Sequence, residues 1–280
     1  MPTGPDPATP PSRREHALLD HAPLFPGSDL AAALGFPPAG DPRWTAVADG
    51  GAESVEIKIL LAPGADTAAL LAGPRPARVR HRRLYLLDTD DLALARTGVH
   101  LRLRDRGRDR WDITVRLRGA GSAGEVTPVP GARVELDILP GTLFHSTQIV
   151  ERVPAELAVA CRDGRVAPHE LLTAAQAALL AVGTGGIDGP LRAHGPLRVE
   201  RASVPRPRCH LAHARHERVR FAGGRVLEEF SARCAPGEAG VVAGAAALLL
   251  AAHRLAPAAR QRTKTAEWTD ELLSRRRTAG

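Results

Sequence analysis

Residues 84–104 read LYLLDTDDLALARTGVHLRLR, and residues 111–118 read WDITVRLR. Apolar and charged residues alternate over residues 99–106 and again over residues 111–118, and a period of two is typical of a half-buried β-strand. Gly107 lies between these two segments in a turn-like sequence, so the two strands are predicted to form a hairpin. Residues 90–97 have the length and composition of a short helix.

Strand patterns continue on both sides of this stretch. Short turns separate most of them, and strands joined by short turns tend to pair in antiparallel fashion. The sequence therefore predicts an α+β protein of about eight strands, built as an antiparallel β-barrel or a strongly curved sheet with flanking helices. The predicted strands cover residues 54–59, 79–87, 99–106, 111–118, 133–139, 197–204, 210–221 and 226–234.

Composition along the chain predicts the domain organisation. Residues 1–50 hold ten of the 24 prolines, which predicts a flexible N-terminal arm. Residues 51–280 are predicted to form the barrel domain, with a mostly helical insertion around residues 142–190. No apolar segment typical of a secretory signal is seen, and the longest apolar run, residues 241–252, is too short to span a bilayer. A cytoplasmic protein that does not enter the membrane is therefore expected.

The charge of the chain is strongly basic. Lys and Arg number 38 against 31 Asp and Glu, and the sequence pI is about 10.4. Such a charge favours an anionic partner, although an Arg-rich genome composition explains it equally well. Only two of the basic residues are lysines, Lys58 and Lys264. Because Lys is a compact point charge and Arg a planar fork, these two lysines are candidate functional residues.

The polar faces of the predicted strands are almost entirely ionic. Cations are in excess, but carboxylates lie on four of the strands. One interpretation is an ordinary solvated face, because antiparallel sheets often keep one side wet. The other is a barrel closed with this face inward, in which Arg and Lys hold phosphate oxygens and carboxylates hold Mg²⁺ or Mn²⁺. The face includes Glu56, Lys58, Arg102, Arg104, Arg116, Arg118, Glu135, Asp137, Arg198, Glu200, Glu229 and Arg233.

Several segments resemble one known protein family. VEIKILL at residues 55–61 is similar to the opening Glu-x-Glu-x-Lys signature of CYTH proteins, the triphosphate-tunnel metalloenzymes. The stretch at 84–104 resembles the family's Tyr-x-x-Asp-Thr, short-helix and Leu-Arg-x-Arg block, and RVELDILPG at 133–141 resembles its acidic fifth strand. RVLEEFSARC at 225–234 and QRTKTAEW at 261–268 resemble the late strand and the lysine-bearing tail of an actinobacterial-type branch.

The resemblance implies an eight-stranded tunnel that binds a triphosphate-containing small molecule together with one or two Mg²⁺ or Mn²⁺ ions. Members of the family hydrolyse inorganic triphosphate or thiamine triphosphate, or form cyclic AMP from ATP. Together with the ionic face, it gives two sets of expected site residues. The expected phosphate-binding residues are Lys58, Arg102, Arg104, Arg116, Arg118, Arg198, Arg233 and Lys264. The expected metal ligands are Glu56, Glu135, Asp137 and Glu229.

Two positions depart from the pattern of the family. Ser54 stands where the first Glu of the signature is expected, and Ser231 stands where well-studied hydrolases keep a carboxylate. A neutral hydroxyl is a weaker ligand for a hard divalent cation than a carboxylate. A weakened metal site is therefore expected beside an intact phosphate site.

Three functions are compatible with these patterns. The first is a metal-dependent triphosphatase or an adenylyl-cyclase-like enzyme. The second is a phosphate-binding module that has lost hydrolysis, which the two serines favour. The third is a basic nucleic-acid-binding protein. Aromatic residues make up only 3% of the chain and carboxylates interrupt the basic face, and both features argue against nucleic acid.

Overall fold

Nine strands form a closed barrel at the centre of the protein. The computed structural model describes residues 28–72, 77–120, 129–184, 189–205, 211 and 213–279. The strands are β1 (Ser54–Leu60), β2 (Arg80–Asp88), β3 (Val99–Asp105), β4 (Trp111–Ala120), β5 (Arg133–Leu139), β6 (Thr142–Val153), β7 (Arg192–Ser203), β8 (Ala214–Arg220) and β9 (Val226–Cys234). Their order around the barrel is β1-β5-β6-β4-β3-β2-β7-β8-β9, and β9 pairs with β1 to close the ring.

The strand pairing is antiparallel at every junction except one. β1 and β5 run parallel, which places Glu56 beside Asp137. Closure gives the barrel an inner and an outer face, and successive side chains of each strand alternate between them. The barrel expected from the sequence is therefore confirmed, although it has nine strands and not eight.

β6 is the strand that the sequence analysis did not predict. It occupies the first part of the segment at 142–190 that was expected to be helical, whereas the helices begin only after Val153. A two-residue turn at Pro140 and Gly141 leads directly from β5 into β6, and Gly141 adopts a φ of 76°. The inward positions of β6 include Ser146 and Gln148, which are neutral, so the strand lacks the alternation of ionic and apolar residues that marks its neighbours.

Helices cover the outer face of the barrel in two layers. The helices are α1 (Ser28–Ala33), α2 (Pro42–Asp49), α3 (Ala68–Leu71), α4 (Ala93–Arg96), α5 (Ala155–Arg162), α6 (Ala174–Thr184), α7 (Ala239–Ala252) and α8 (Lys264–Ala279). α1, α2 and α7 pack over β1, β5 and β9, whereas α6 packs over β3, β4 and β6 and α5 lies beside β7. Among the helices of the described ranges, none is long and apolar enough to cross a membrane.

Part of the expected flexible arm is folded. Residues 28–49 contain α1 and α2, and Ala31, Phe36 and Val47 are buried against α7 and the outer face of β1 and β5. Proline does not prevent a helix here, because Pro42 occupies the first turn, where its missing N–H is not needed. The Asp41 side chain accepts a hydrogen bond from the Arg43 amide at 2.9 Å and caps α2. Residues 1–27 of the expected arm lie outside the described residues.

α8 packs against an apolar part of the barrel interior. Trp268 is buried in a cluster with Leu60, Leu86 and Leu197. Gly195 on β7 permits this contact, because a Cβ atom at its φ of 137° would lie 3.3 Å from the Trp268 ring and 2.8 Å from the Leu84 carbonyl oxygen. The packing of Trp268 holds the first residue of α8, Lys264, in the wall of the barrel cavity.

Candidate functional site

The barrel encloses a cavity of about 1000 Å³. Its wall carries thirteen Lys and Arg side chains and seven Asp and Glu side chains, so positive charge is in excess. The ionic residues of β1, β3, β4, β5 and β9 reach the same cavity because residues two apart in a strand share a face. An enclosed wall with this excess of cations favours a small, highly charged anion.

Most of the predicted site residues converge on this cavity. Nine of the twelve predicted residues line it. Arg118 and Asp137 lie on the inner faces of β4 and β5 and form an ion pair with each other, but they do not line the cavity. The predicted inward orientation of the ionic face is thereby confirmed for these strands. The binding roles assigned to the individual residues stay predictions. The nine lining residues are Glu56, Lys58, Arg102, Arg104, Arg116, Glu135, Glu229, Arg233 and Lys264.

Arg198 does not belong to the site. Its side chain is exposed, and the residues of β7 that line the cavity are Leu197, Val199 and Arg201. The alternation of β7 was identified correctly, but its faces were assigned the wrong way round. Apolar residues were expected to face the outer core, whereas Leu197 and Val199 face the interior beside Trp268.

Asp137 is the centre of the most buried charge network. Its carboxylate lies 2.7 Å from Lys58 Nζ and 3.3 Å from Arg116 Nη1, and it also accepts a hydrogen bond from Arg118. Burial opposes ionisation of Asp137, but the three cations outweigh it and hold its pKa far below its usual range. Asp137 therefore remains an anion that neutralises and orients three cations of the cavity wall.

Two further carboxylates are held by cations on neighbouring strands. Glu56 lies 3.1 Å from Lys58 Nζ. Glu135 lies 3.0 Å from Arg116 Nη2 and 3.1 Å from Arg233 Nη2. Burial raises the pKa of Glu56, but the combined field of Lys58, Arg233 and Lys264 lowers it to below the usual value. Both carboxylates are therefore already paired with cations.

Lys264 ties α8 to the inner wall. Its ammonium donates a hydrogen bond to Glu229 at 2.7 Å and another to Glu217 on β8. Burial opposes ionisation of Glu217, but Lys264 and Arg201 outweigh it and lower its pKa to about 2. At Glu229 the effect of burial prevails and raises the pKa.

Glu217, Arg201 and Arg82 are inner-wall residues that the sequence analysis missed. β8 reads ARHERVR, so charged residues occupy both of its faces and the alternation does not indicate which face is inward. Arg201 was missed because the faces of β7 were exchanged. Glu217 could have been found from the register of β8 and β9, which pairs it with Glu229, but that register is a tertiary feature.

We expect Glu217 to contribute to acid sensitivity. Its pKa falls from 4.5 in the unfolded chain to about 2 in the folded protein, so its stabilising effect is complete above about pH 4.5 and is lost as the pH falls toward 2. Urea unfolding of Glu217→Gln should therefore show lower stability than wild type at pH 7 and a smaller further loss below pH 4.5. Glu200→Gln on the outer face is the control, and identical acid profiles for wild type and Glu217→Gln would contradict this assignment.

Arg102 has buried donor atoms that no described residue engages. Its Nε and Nη2 atoms are buried and have no hydrogen-bond partner among the described residues. Burial, reinforced by Arg116 and Arg118, lowers the pKa of Arg102 well below its usual value. Arg82 is similar, because burial and the neighbouring Arg201 lower its pKa to about 10. Buried guanidinium nitrogens are normally hydrogen-bonded, so the two unpartnered nitrogens of Arg102 favour a cavity that binds an anion.

The expected metal ligands do not form an assembled cation site. Within the described ranges, no group of three or more His, Cys, Asp or Glu side chains is arranged to hold a metal ion. Two of the expected ligands, Glu56 and Asp137, share Lys58 between them. Ser54 lies beside Glu135 in the β1–β5 pair, and Ser231 lies beside Lys58 in the β1–β9 pair, so neither position adds a carboxylate. The residues present therefore do not fit a divalent ion well.

Comparison with known proteins relates the chain to others by fold. No model of a known protein family matches the chain, and no curated protein sequence matches it. A candidate adenylyl cyclase from Hippeastrum, described as having a dominant triphosphatase activity, aligns with a TM-score of 0.56 at 17% identity over 77% of this chain and 95% of that one. A candidate adenylate cyclase from Bacillus halodurans aligns with a TM-score of 0.52 at 13% identity over 78% and 98% of the two chains.

These similarities are structural, because both identities are too low to transfer an activity. They cover nearly the whole length of each related structure and include the barrel described above. The closed barrel, its inward ionic face and these two alignments agree with one another. The protein therefore has the CYTH-like tunnel fold.

Proposed function

We propose that this protein binds a triphosphate-containing small molecule inside the tunnel. The observation that carries the proposal is the unpaired, buried guanidinium of Arg102 in a cavity whose wall has excess positive charge. The description of the Hippeastrum protein as a triphosphatase supports the same class of ligand. A phosphate chain supplies several acceptor oxygens, and charge-assisted hydrogen bonds to guanidinium are among the strongest that proteins form.

The cations of the wall divide into two groups with different roles in this proposal. Lys58, Arg116 and Lys264 are held by carboxylates and set the shape and field of the cavity. Arg82 and Arg102 have no ion-pair partner in the described part of the chain and are the first donors available to phosphate oxygens. A ligand bound there would relieve the repulsion among the arginines, and this relief adds to the affinity.

Hydrolysis is a separate step that binding alone does not imply. Preorganised arginines stabilise negative charge that moves on to the leaving oxygens during phosphoryl transfer. The cavity supplies that part of a triphosphatase. The Mg²⁺ or Mn²⁺ dependence of hydrolysis implied by the resemblance stays a prediction. Because the carboxylates are already paired, we expect a protein that binds the triphosphate well and hydrolyses it slowly.

A ligand panel tests the proposed function. Calorimetry and phosphate release would be measured with inorganic triphosphate, thiamine triphosphate and ATP, each with Mg²⁺, with Mn²⁺ and with a chelator. We expect at least one triphosphate to bind to wild type and to the outer-face control Arg198→Ala with equal affinity. Binding of every compound no tighter than that of inorganic monophosphate would contradict the proposal.

Nucleic-acid binding is the second candidate, because the outer face also carries arginines. Arg198 and Arg220 face each other on β7 and β8, outside the tunnel. A surface of this kind gives an affinity for DNA that falls steeply with salt concentration. Duplex binding that persists at physiological salt, survives excess triphosphate and is lost in Arg198→Ala would favour this candidate over the tunnel.

A further inference from the structure

The carboxylates of the inner wall are neutralised by Lys and Arg side chains of the protein itself. Each of the four carboxylates expected to hold a metal has a Lys or Arg nitrogen close to it. The distances are 3.1 Å from Glu56 to Lys58, 3.0 Å from Glu135 to Arg116, 2.7 Å from Asp137 to Lys58 and 2.7 Å from Glu229 to Lys264. At least one oxygen of each carboxylate is thus already engaged by a cation, through a hydrogen bond at Glu135, Asp137 and Glu229 and through an ion pair at Glu56.

Lys58 lies between two carboxylates of the inner wall. Its ammonium lies between Glu56 and Asp137, which are neighbours on the two parallel strands. A divalent ion bound to the same two carboxylates would lie within a few ångströms of this ammonium, and repulsion between like charges is strong in a poorly solvated interior. Ser54 and Ser231 are neutral, so they add no carboxylate that would offset the repulsion.

We propose that the tunnel binds triphosphate as the metal-free polyanion, with Lys58 in place of the divalent ion. This inference rests on the proposed function and specifies the charge state of its ligand. The excess of cations in the wall and the unpaired Arg102 supply the charge that a metal ion would otherwise bring. Because Mg²⁺ removes negative charge from triphosphate and covers its oxygens, the complexed ligand makes fewer contacts with the arginines.

Calorimetry of wild type with inorganic triphosphate tests the inference directly. We expect binding in a chelating buffer, and we expect saturating Mg²⁺ to weaken it by roughly tenfold, which corresponds to the loss of about one charge-assisted contact. Binding that appears only when Mg²⁺ or Mn²⁺ is present would overturn the inference and leave the proposed function standing. Absence of binding under both conditions would contradict the proposed function itself.

Two variants provide an independent test with Mn²⁺ alone as the probe. Lys58→Gln removes the ammonium that Glu56 and Asp137 share, and Ser54→Glu with Ser231→Glu adds two carboxylates to the same inner face. Both proteins should bind Mn²⁺ at least about tenfold more tightly than wild type, as measured by calorimetry or by the electron paramagnetic resonance signal of free Mn²⁺. Arg198→Gln is the matched control, because it removes a cation from the outer face of the barrel. Equally tight Mn²⁺ binding by wild type and Lys58→Gln would overturn the inference.

Discussion

Arg102→Met is expected to weaken triphosphate binding by about 10- to 100-fold. A hydrogen bond to a charged group contributes about 1.5–3 kcal/mol, and each 1.4 kcal/mol corresponds to a factor of ten in the dissociation constant. Two nitrogen atoms of Arg102 are buried without a partner, so they are free to donate to the ligand. Methionine retains most of the volume of the side chain, and the change therefore removes donors and charge more than packing.

The same variant is expected to be more stable than wild type when no ligand is present. A buried polar group without a hydrogen-bond partner costs roughly 1–3 kcal/mol, and Arg102 also experiences repulsion from Arg116 and Arg118. Urea unfolding should thus show a free energy of unfolding that is higher than that of wild type by roughly 1–3 kcal/mol, although the variant binds triphosphate more weakly. Arg198→Met on the outer face controls for the removal of an arginine from the sheet. Reduced stability with unchanged binding would mean that Arg102 serves the fold and not the ligand.

Asp137→Asn is expected to reduce the free energy of unfolding by about 3–5 kcal/mol, the range found when one partner of a buried ion pair is removed. Asp137 is fully buried and is shared by Lys58, Arg116 and Arg118. Without its charge these three cations repel one another in an interior that water cannot easily screen. Asn matches Asp in size, so the loss reports on charge and not on a cavity.

Triphosphate should restore part of this stability, because a bound anion can replace the missing carboxylate as a counter-ion. A ligand present at 100 times its dissociation constant stabilises a protein by about 2.7 kcal/mol. Thermal and urea unfolding with and without inorganic triphosphate would measure the recovery. Asp163→Asn, which breaks an exposed ion pair with Arg162, is the control and should change little. A stability of Asp137→Asn equal to that of wild type would show that the buried cations do not depend on Asp137.

The site was predictable where a strand alternates strongly between apolar and ionic residues. Over most of β1, β3 and β5 charged or polar residues alternate with apolar ones, so only one orientation buries the apolar side against the helices. The charged side then faces the cavity. β7 did not follow this rule, because Leu197 and Val199 contribute to an apolar cluster inside the barrel that is completed by Trp268 of α8. No feature of β7 taken alone indicates that cluster.

The sequence by itself predicted the class of fold and the inward ionic face on most strands. These follow from local periodicity, which each strand carries within a few residues. Only the tertiary structure decided that two nitrogens of Arg102 have no hydrogen-bond partner among the described residues, whereas Arg116 has Glu135 and Asp137. Ion pairing joins residues from different strands at distances set by register and barrel closure, and those depend on the whole chain packing at once.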